Sequence, residues 1–585
     1  MKTQVRGSCL PKYRWVTRES ESSRSNPAWK KLSTATGVSE LLARILVARG
    51  IETADDAKAF LNPAAGSLIP PEAIPGLEQA RDRLAAAALA REPVLVHGDY
   101  DADGISGAVI LHQTLKGLGC QSRIFLPERA LHGYGLAPQA VEKAKQAGIG
   151  LIVSVDCGIS SPDTVALARA AGIQVIVTDH HPVPENLPKD AILVHPELDG
   201  DYPGGKIAGA TVAFKLALSL LDALRGDIEA AQQLYLPLIA LATVADVCDL
   251  SLENRTIVAK GLPGISKSKL PGLRILCKAT RKNNGEEINE RDIAFGMAPI
   301  LNAAGRMGNP LPAAKLLLAE DEESAWKCFR DLDAMNRERR KAQEQMCFRL
   351  SRRPEVAWEG KDRGVLVLLD DDCTPGLAGV AGLAASRLSE QTGRPTCILV
   401  HGEDDSGPLY RGSMRGMKGE DLLALMAPVA SLAERLGGHT GAIGLTVRPG
   451  KFDEFMDACS KIEWSHQPPM LHLDLMLESA PRDSAAVKEL DLTRPWGPGN
   501  PQPAFQWGPV TIKGTRTVGK NLEHLQVSLH DSHGSLYKGI GFNMASDIPE
   551  EGAIGRDISA AGHFQLNNWQ GNETVEFEIK DFQFF

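Results

Sequence analysis

The segment His97–Gly104, HGDYDADG, sets an imidazole and three carboxylates at the end of the apolar run Val94–Val96: His97, Asp99, Asp101 and Asp103. Asp101 and Asp103 are two residues apart and His97 precedes Asp101 by four, so a bend after a strand converges these three. Such a crowd repels itself and desolvates badly unless a counter-charge is present. A divalent cation supplies one, and Asp oxygen with His nitrogen suits Mn2+, Mg2+ or Zn2+. Taken alone, the segment also reads as an acidic turn capping the next helix. The pattern then recurs. LIVSVD ends on Asp156, VIVTD ends on Asp179 and runs into His180 and His181, and ATVADVCD offers Asp246 and Asp249. A cluster of about four Asp and two His, with no Cys ligand, exceeds the needs of one ion. It fits a two-metal site, whose cations, about 3.5–4 Å apart, activate water and stabilise a leaving oxygen. Phosphoester hydrolysis is the reaction class that uses this design, and the oxygen-rich shell argues against structural zinc.

Groups of this kind need a rigid edge on which to converge. Between Val94 and Pro196, short Val/Ile-rich runs alternate with helical stretches. Strands are predicted at Val94–His97, Ser122–Leu126, Leu151–Val155, Val175–Thr178 and Ala191–Val194, with helices such as Pro138–Ala147 and Thr164–Ala171 between them. That alternation implies a parallel sheet covered on both faces, a doubly wound α/β domain whose ligands sit at the carboxyl ends of strands. Residues 206–262 read as helical and complete it. Glu320–Arg353, long, charged and free of Gly, predicts a connector helix. A second α/β unit follows over about 364–449, with strands Val365–Leu369 and Thr396–Val400 flanking a helix at Gly379–Gln391. After Trp464, short strands at Val510–Lys513, Leu525–Leu529, Leu536–Gly541 and Val575–Ile579 predict a small β-barrel or sandwich. Two short helices occupy residues 36–62, and residues 1–35 read as a disordered arm.

A chain of 585 residues implies roughly three or four domains. Its net charge of −9 offers no general support for nucleic-acid binding, although a basic groove can coexist with an acidic exterior. Basic clusters in residues 1–35 and at Asn336–Lys341 read as solvated surface. The ten cysteines are scattered without CxxC pairs and read as reduced thiols. The N-terminus has no apolar secretory core, and the apolar stretch Ile207–Leu221 is broken by Lys215, so no membrane span is expected. Together these place the chain among cytoplasmic multidomain proteins.

HGDYDADG, VSVDCG, VTDHH and TVADV resemble the successive motifs of the DHH phosphoesterase superfamily. RALHGYG (Arg129–Gly135), AGATVAFKL (Ala208–Leu216), PILNAAGRM (Pro299–Met307), RLGGHTGAIG (Arg435–Gly444) and RPWGPGNPQPAF (Arg494–Phe505) narrow the resemblance to the RecJ single-stranded-DNA exonucleases, from about residue 40 onward. The resemblance implies an α/β multidomain chain divided into an N-terminal arm with short helices (1–80), a doubly wound DHH domain (81–319), a connector helix (320–353), a smaller DHHA1-like α/β domain (354–463) and an OB-type β-barrel (464–585).

It also implies that His97, Asp101, Asp103, Asp156, His180 and Asp246 hold two Mn2+ or Mg2+ ions, with Asp156 as the bridge. His181 is placed beside the scissile phosphate as a donor, or one step behind the ligands, and Asp99 is left as ligand or orienter. Water attack in line would release 5′-mononucleotides from the 5′ end. Arg129 and Tyr134 match positions near the terminal nucleotide, and Ser413 and Arg415 match a 5′-phosphate pocket. Arg fits phosphate through its bidentate fork, and Tyr offers a stacking face. Arg306 as a phosphate clamp and His439 as a nucleotide contact stand beside purely structural roles for both. Trp507, Tyr537, Phe542 and Trp569 of the barrel are core or strand-binding aromatics.

Single-stranded DNA is thus the expected partner, with a single-strand-binding protein and a helicase assisting, and the chain is expected to be monomeric. Selectivity for single strands would come from a channel between the two α/β units too narrow for duplex. Two features depart from the family pattern. Leu377 stands where a His is usual, and Ala210–Thr211 changes a tight backbone contact. The competing readings are a phosphoesterase for short oligoribonucleotides or cyclic dinucleotides, and a non-catalytic DNA-binding scaffold. The β-rich C-terminal domain argues against the first, and the full ligand set against the second.

Overall fold

The structure, a computed structural model, describes residues 12–585 apart from 20–26, 129–133, 201, 282–286, 358–363, 375, 405, 418, 465–467, 549–552 and 570–571. It forms two compact units, one of Ser67–His466 and one combining Met1–Gly66 with Gln467–Phe585.

In the larger unit, five parallel strands stand in the order β2-β1-β3-β4-β5: β1 (Val94–Gly98), β2 (Ser122–Phe125), β3 (Leu151–Val155), β4 (Gln174–Thr178) and β5 (Ile192–Val194). The central strands β1 and β3 are buried at every residue, as a helix-covered parallel sheet requires. Register fixes the edge. Gly98 pairs with Val155, Val155 with Thr178, and Thr178 with Val194. The next residues, Asp99, Asp156, Asp179 and His195, therefore fall in one row across four strands. The first three N–H groups of that row extend the ladder, donating to Val155, Thr178 and Val194 respectively.

Helices follow the predicted pattern, with α1 at Ala102–Gly117, α2 at Gly209–Ala223 and α3 at Ile228–Ala245. Among the described residues, α3 is the one helix with the length and composition of a membrane span, yet Leu238, Ile239 and Leu241 are buried in the core. Lys215, which interrupts the apolar run, is itself buried and pairs with Glu253 at 2.7 Å while donating to the carbonyl of Ile69. After α4 (Ala298–Arg306), the long helix α5 covers Glu322–Leu350, capped at its start by the Asp321 side chain.

The second sheet of this unit has the order β9-β10-β8-β7-β6: β6 (Leu366–Asp370), β7 (Thr396–Asp404), β8 (Gly407–Arg415), β9 (Arg435–His439) and β10 (Ala442–Val447). Helix α6 (Ala378–Thr392) packs on β7 and β8. Strands β8 to β10 carry Ser413, Arg415 and His439 but were not foreseen as strands. Their glycines hide the alternation, and Gly412 is needed because a Cβ there would lie 1.8 Å from the carbonyl oxygen of Ile398. Leu377 lies in the apolar core beneath α6 together with Val380 and Ala381, so this departure from the family pattern is filled by packing.

In the smaller unit, a β-barrel closes when Phe505–Val518 pairs with both His524–His530 and Asp557–Trp569. Trp507 is fully buried there against Phe564 and Phe577, and Tyr537 packs on its edge. Phe542 is half exposed, and the side chain of Trp569 lies outside the described residues. The described part of the N-terminal arm is ordered, where a disordered arm was expected. Arg14–Thr17 pairs in parallel with Met470–Leu473, and Trp15 donates to Asp581 at 2.8 Å. The helix Glu40–Ala48 adds Ile45 to the barrel core, while Arg49 forks onto Asp474 and reaches Asn500 of the GPGNP segment.

Candidate active site

The row at the carboxyl edge of the first sheet is where the acids gather. Asp99, Asp101 and Asp156 offer ligand atoms that all lie within 4.8 Å of one another. Asp103, His180 and Asp246 do the same, as do Asp156, His180 and His181. Asp156 is shared by two of these groups, which suits a bridge. Asp249 joins none of them among the described residues.

Local structure explains how the chain holds these side chains. Asp101 is the N-cap of α1, one oxygen accepting from the N–H groups of Asp103 and Gly104, so cap and ligand readings are both satisfied by one carboxylate. Asp103 is gripped by the start of α2, its oxygens accepting from Gly209 N–H at 2.7 Å and Ala210 N–H at 2.8 Å. The Ala210 departure therefore leaves this contact intact, because the backbone makes it. Gly209 cannot carry a side chain, since a Cβ would stand 2.7 Å from Asp156 Oδ1. Asp156 adopts a positive φ of 62°, which turns its carboxylate out of the strand direction; Asp tolerates this region better than most residues. Asn302 on α4 accepts from Ala102 N–H at 2.7 Å, steadying the first residue of α1, between Asp101 and Asp103.

Two placements differ from the sequence reading. His97 is fully buried and both its ring nitrogens are engaged away from the cluster. Its Nε2 accepts from Ala137 N–H at 3.2 Å and its Nδ1 faces Cys157 Sγ at 3.4 Å. The imidazole at the strand end points into the fold, and Asp99, one residue past the strand, takes the place at the cluster. Arg306 points its guanidinium at the carbonyl of Gly379 at 3.4 Å, where α4 meets α6. That contact is structural.

Other expected residues converge. Tyr134 meets the His181 ring edge-on, with centroids 5.1 Å apart, and His439 stacks on His181 at 6.4 Å. His439 and Arg415 both pair with Ala442, on either side of β10, so they share one row of the second sheet. Ser413 is buried, and Arg415 Nη1 donates to the carbonyl of Met414. Arg129 lies outside the described residues.

Electrostatics mark the cluster as short of positive charge. Burial, then Asp246 and Asp101, push the Asp103 carboxyl well up; burial and Asp103 do the same to Asp156. Asp246 is pushed up to about 6 by burial and by Asp101. Burial and the neighbouring His181 hold His180 down to about 3, leaving it neutral and ready to donate a lone pair. Burial also pushes His181 down, but the hydrogen bond and charge of Asp179 outweigh it and raise it to about 8. Asp179 is itself saturated, accepting from Ile159 N–H, His180 N–H, His181 N–H and His181 Nδ1. Cys248 donates to Asp246 at 3.3 Å. Asp179, Asn302 and Cys248 have supporting roles that the sequence reading did not assign.

One observation tests whether cations fit. Asp156 Oδ1 and His180 Nε2 are buried and lie 2.9 Å apart, yet neither makes a hydrogen bond. Two buried acceptor atoms this close, each without a hydrogen bond, cost free energy unless something positive lies beside them. The donor set, carboxylates with one neutral imidazole, suits Mn2+ or Mg2+.

Comparison with known proteins agrees with this geometry. Residues 93–243 match the DHH family N-terminal domain, 364–463 the DHHA1 domain and 473–581 the RecJ OB domain. The single-stranded-DNA-specific exonuclease RecJ of Bacillus subtilis is 30% identical over 558 residues, covering 94% of this chain and 69% of that protein. This chain belongs to the RecJ family. The crystal structure of RecJ from Thermus thermophilus in complex with Mn2+ aligns with a TM-score of 0.79 and 28% identity, over 98% of this chain and 79% of the other. RecJ of the same bacterium in complex with Mg2+ aligns with a TM-score of 0.73 and 26% identity, over 98% and 78%. RecJ structures thus hold the two ions that the donor set here favours.

Proposed function

We propose that this RecJ-family chain is a single-stranded-DNA exonuclease that hydrolyses phosphodiester bonds at a two-metal centre and works 5′→3′. The observation that carries the reading is the pair of buried lone pairs on Asp156 and His180, shared between two groups of converging ligands. Asp99, Asp101 and Asp156 would hold one Mn2+ or Mg2+, and Asp103, Asp156, His180 and Asp246 the other. When bound, the ions lower the pKa of water and neutralise charge on the phosphoryl oxygens.

The chain's own residues supply the rest. His181, whose imidazolium form is favoured by the bond from Nδ1 to Asp179, would donate to a phosphate oxygen, and Tyr134 and His439 frame it. Arg415 and Ser413 would receive the 5′-phosphate, which sets the direction of travel, and Arg129 and Tyr134 the terminal nucleotide. Arg306 acts by docking α4 to α6. A channel between the two α/β sheets admits one strand. The expected setting is cytoplasmic, with a single-strand-binding protein and a helicase presenting the strand to a monomer.

Titration with Mn2+ by calorimetry tests the centre. The wild type should take two equivalents and Asp99→Ala one; a single equivalent in the wild type would contradict the reading. Blunt duplex cleaved as fast as single strands would contradict the channel.

A further inference from the structure

Of the four residues in the row beyond the strand ends, Asp99, Asp156 and Asp179 already have parts in the site. The fourth, His195, follows Val194 of β5 as Asp179 follows Thr178 of β4. His195 is fully buried and both its ring nitrogens are committed. The N–H of Glu197 donates to Nδ1 at 3.0 Å, so Nδ1 carries no proton. Nε2 lies 2.8 Å from the carbonyl oxygen of His181, which can only accept, so Nε2 carries the proton and donates. The partners thus define one neutral tautomer.

We infer that His195 is a positioning residue for the exonuclease reaction, holding the backbone of His181 while Asp179 holds its ring. The inference rests on the role given to His181 above. His181 lies beyond the end of β4, and the next residue, Pro182, has no N–H and begins a stretch without regular structure. The sheet ladder does not reach the His181 carbonyl, and the His195 side chain satisfies it. Asp179 Oδ1 fixes the other end of the residue by accepting from both its N–H and its Nδ1. Two tethers, one to the ring and one to the carbonyl, leave the imidazole little freedom to swing. His195 is anchored in turn, its own N–H reaching the carbonyl of Pro75 at 3.4 Å. Displacement of a reacting group by about 1 Å can cost up to about 100-fold in rate.

The test is a double-mutant cycle in the full-length chain, with Mn2+ and a single-stranded oligonucleotide. His195→Leu and His195→Phe cannot donate to the carbonyl, whereas the longer amide of His195→Gln can. Both apolar variants should lose kcat about 10- to 100-fold with KM unchanged, and His195→Gln should recover most of it. The mutation should cost nothing further when added to His181→Ala. A loss that adds fully to His181→Ala, or a Gln variant no better than Leu and Phe, would overturn the inference and leave the role of His181 standing. Wild-type kcat in His181→Ala alone would overturn both.

Discussion

His97 and Asp99 show how much a single residue of offset decides. Spacing let His97 converge with Asp101 and Asp103, and the family resemblance implied it as a ligand. The strand runs one residue further than expected, to Gly98, so His97 lies buried within it and Asp99 is the first residue past the edge. Asp99→Ala should therefore raise the Kd for Mn2+ at least about tenfold. His97→Ala should leave that Kd nearly unchanged while lowering stability by about 1–3 kcal/mol, through the orphaned N–H of Ala137 and the lost packing. Calorimetry and thermal unfolding separate the two effects, and the reverse pattern would restore His97 to the ligand set. The same carboxylates set a pH dependence. The folded-state value for Asp246, about 6, lies above its ordinary value near 3.9, so the native metal-free protein holds that proton more tightly than the unfolded chain. Its contribution to stability is complete below about 3.9 and is lost as pH climbs through about 6. Bound Mn2+ replaces the proton, so the rise in Tm on adding excess Mn2+ should be larger at pH 8 than at pH 5.5. An equal or smaller rise at pH 8 would show that repulsion among these acids is not what the ion relieves.

At the scale of elements, the parallel sheet was legible because buried Val/Ile runs and helical stretches alternate with different periods. The strand-end rule then placed Asp156 and the Asp179–His181 segment correctly. The start of α2 was not legible in physical terms. AGATVAFKL was recognisable only by resemblance, and its work is done by two backbone N–H groups on Asp103 and by a missing side chain at Gly209. Sequence patterns report side chains, so a contact made by the main chain leaves no periodic trace. Gly209→Ala should drive a methyl against the Asp156 carboxylate and cut Mn2+ affinity and kcat together, about tenfold or more, while the fold persists. Wild-type Mn2+ affinity in that variant would show that the helix start can yield. His195 escaped notice for a different reason: the predicted strand Ala191–Val194 ends at Val194 as the observed one does, but a single imidazole past a strand end makes no pattern with its neighbours.

At the scale of the molecule, charge and composition said little, since a chain with a net charge of −9 carries a centre meant for a polyanion. Cations resolve that apparent conflict locally, by converting an acidic cluster into a phosphate-binding one. The N-terminal arm could not be placed from sequence because its strand, Arg14–Thr17, pairs with residues more than 450 positions away. The barrel reads from sequence as short strands, but among the described residues four of the six strands in its sheet run for at least seven residues, up to fourteen in Phe505–Val518, which bulges near Ile512. The central claim is that a metal centre organised by Asp156 removes nucleotides one at a time from a 5′ end. Digestion of a 5′-labelled and a 3′-labelled single strand with Mn2+, beside the Asp156→Ala variant, addresses it directly. Labelled mononucleotide should appear at once from the 5′-labelled strand and only at the end from the 3′-labelled one, with activity down at least about 1,000-fold in Asp156→Ala. Early release of label from the 3′ end, or undiminished activity in the variant, would contradict the account.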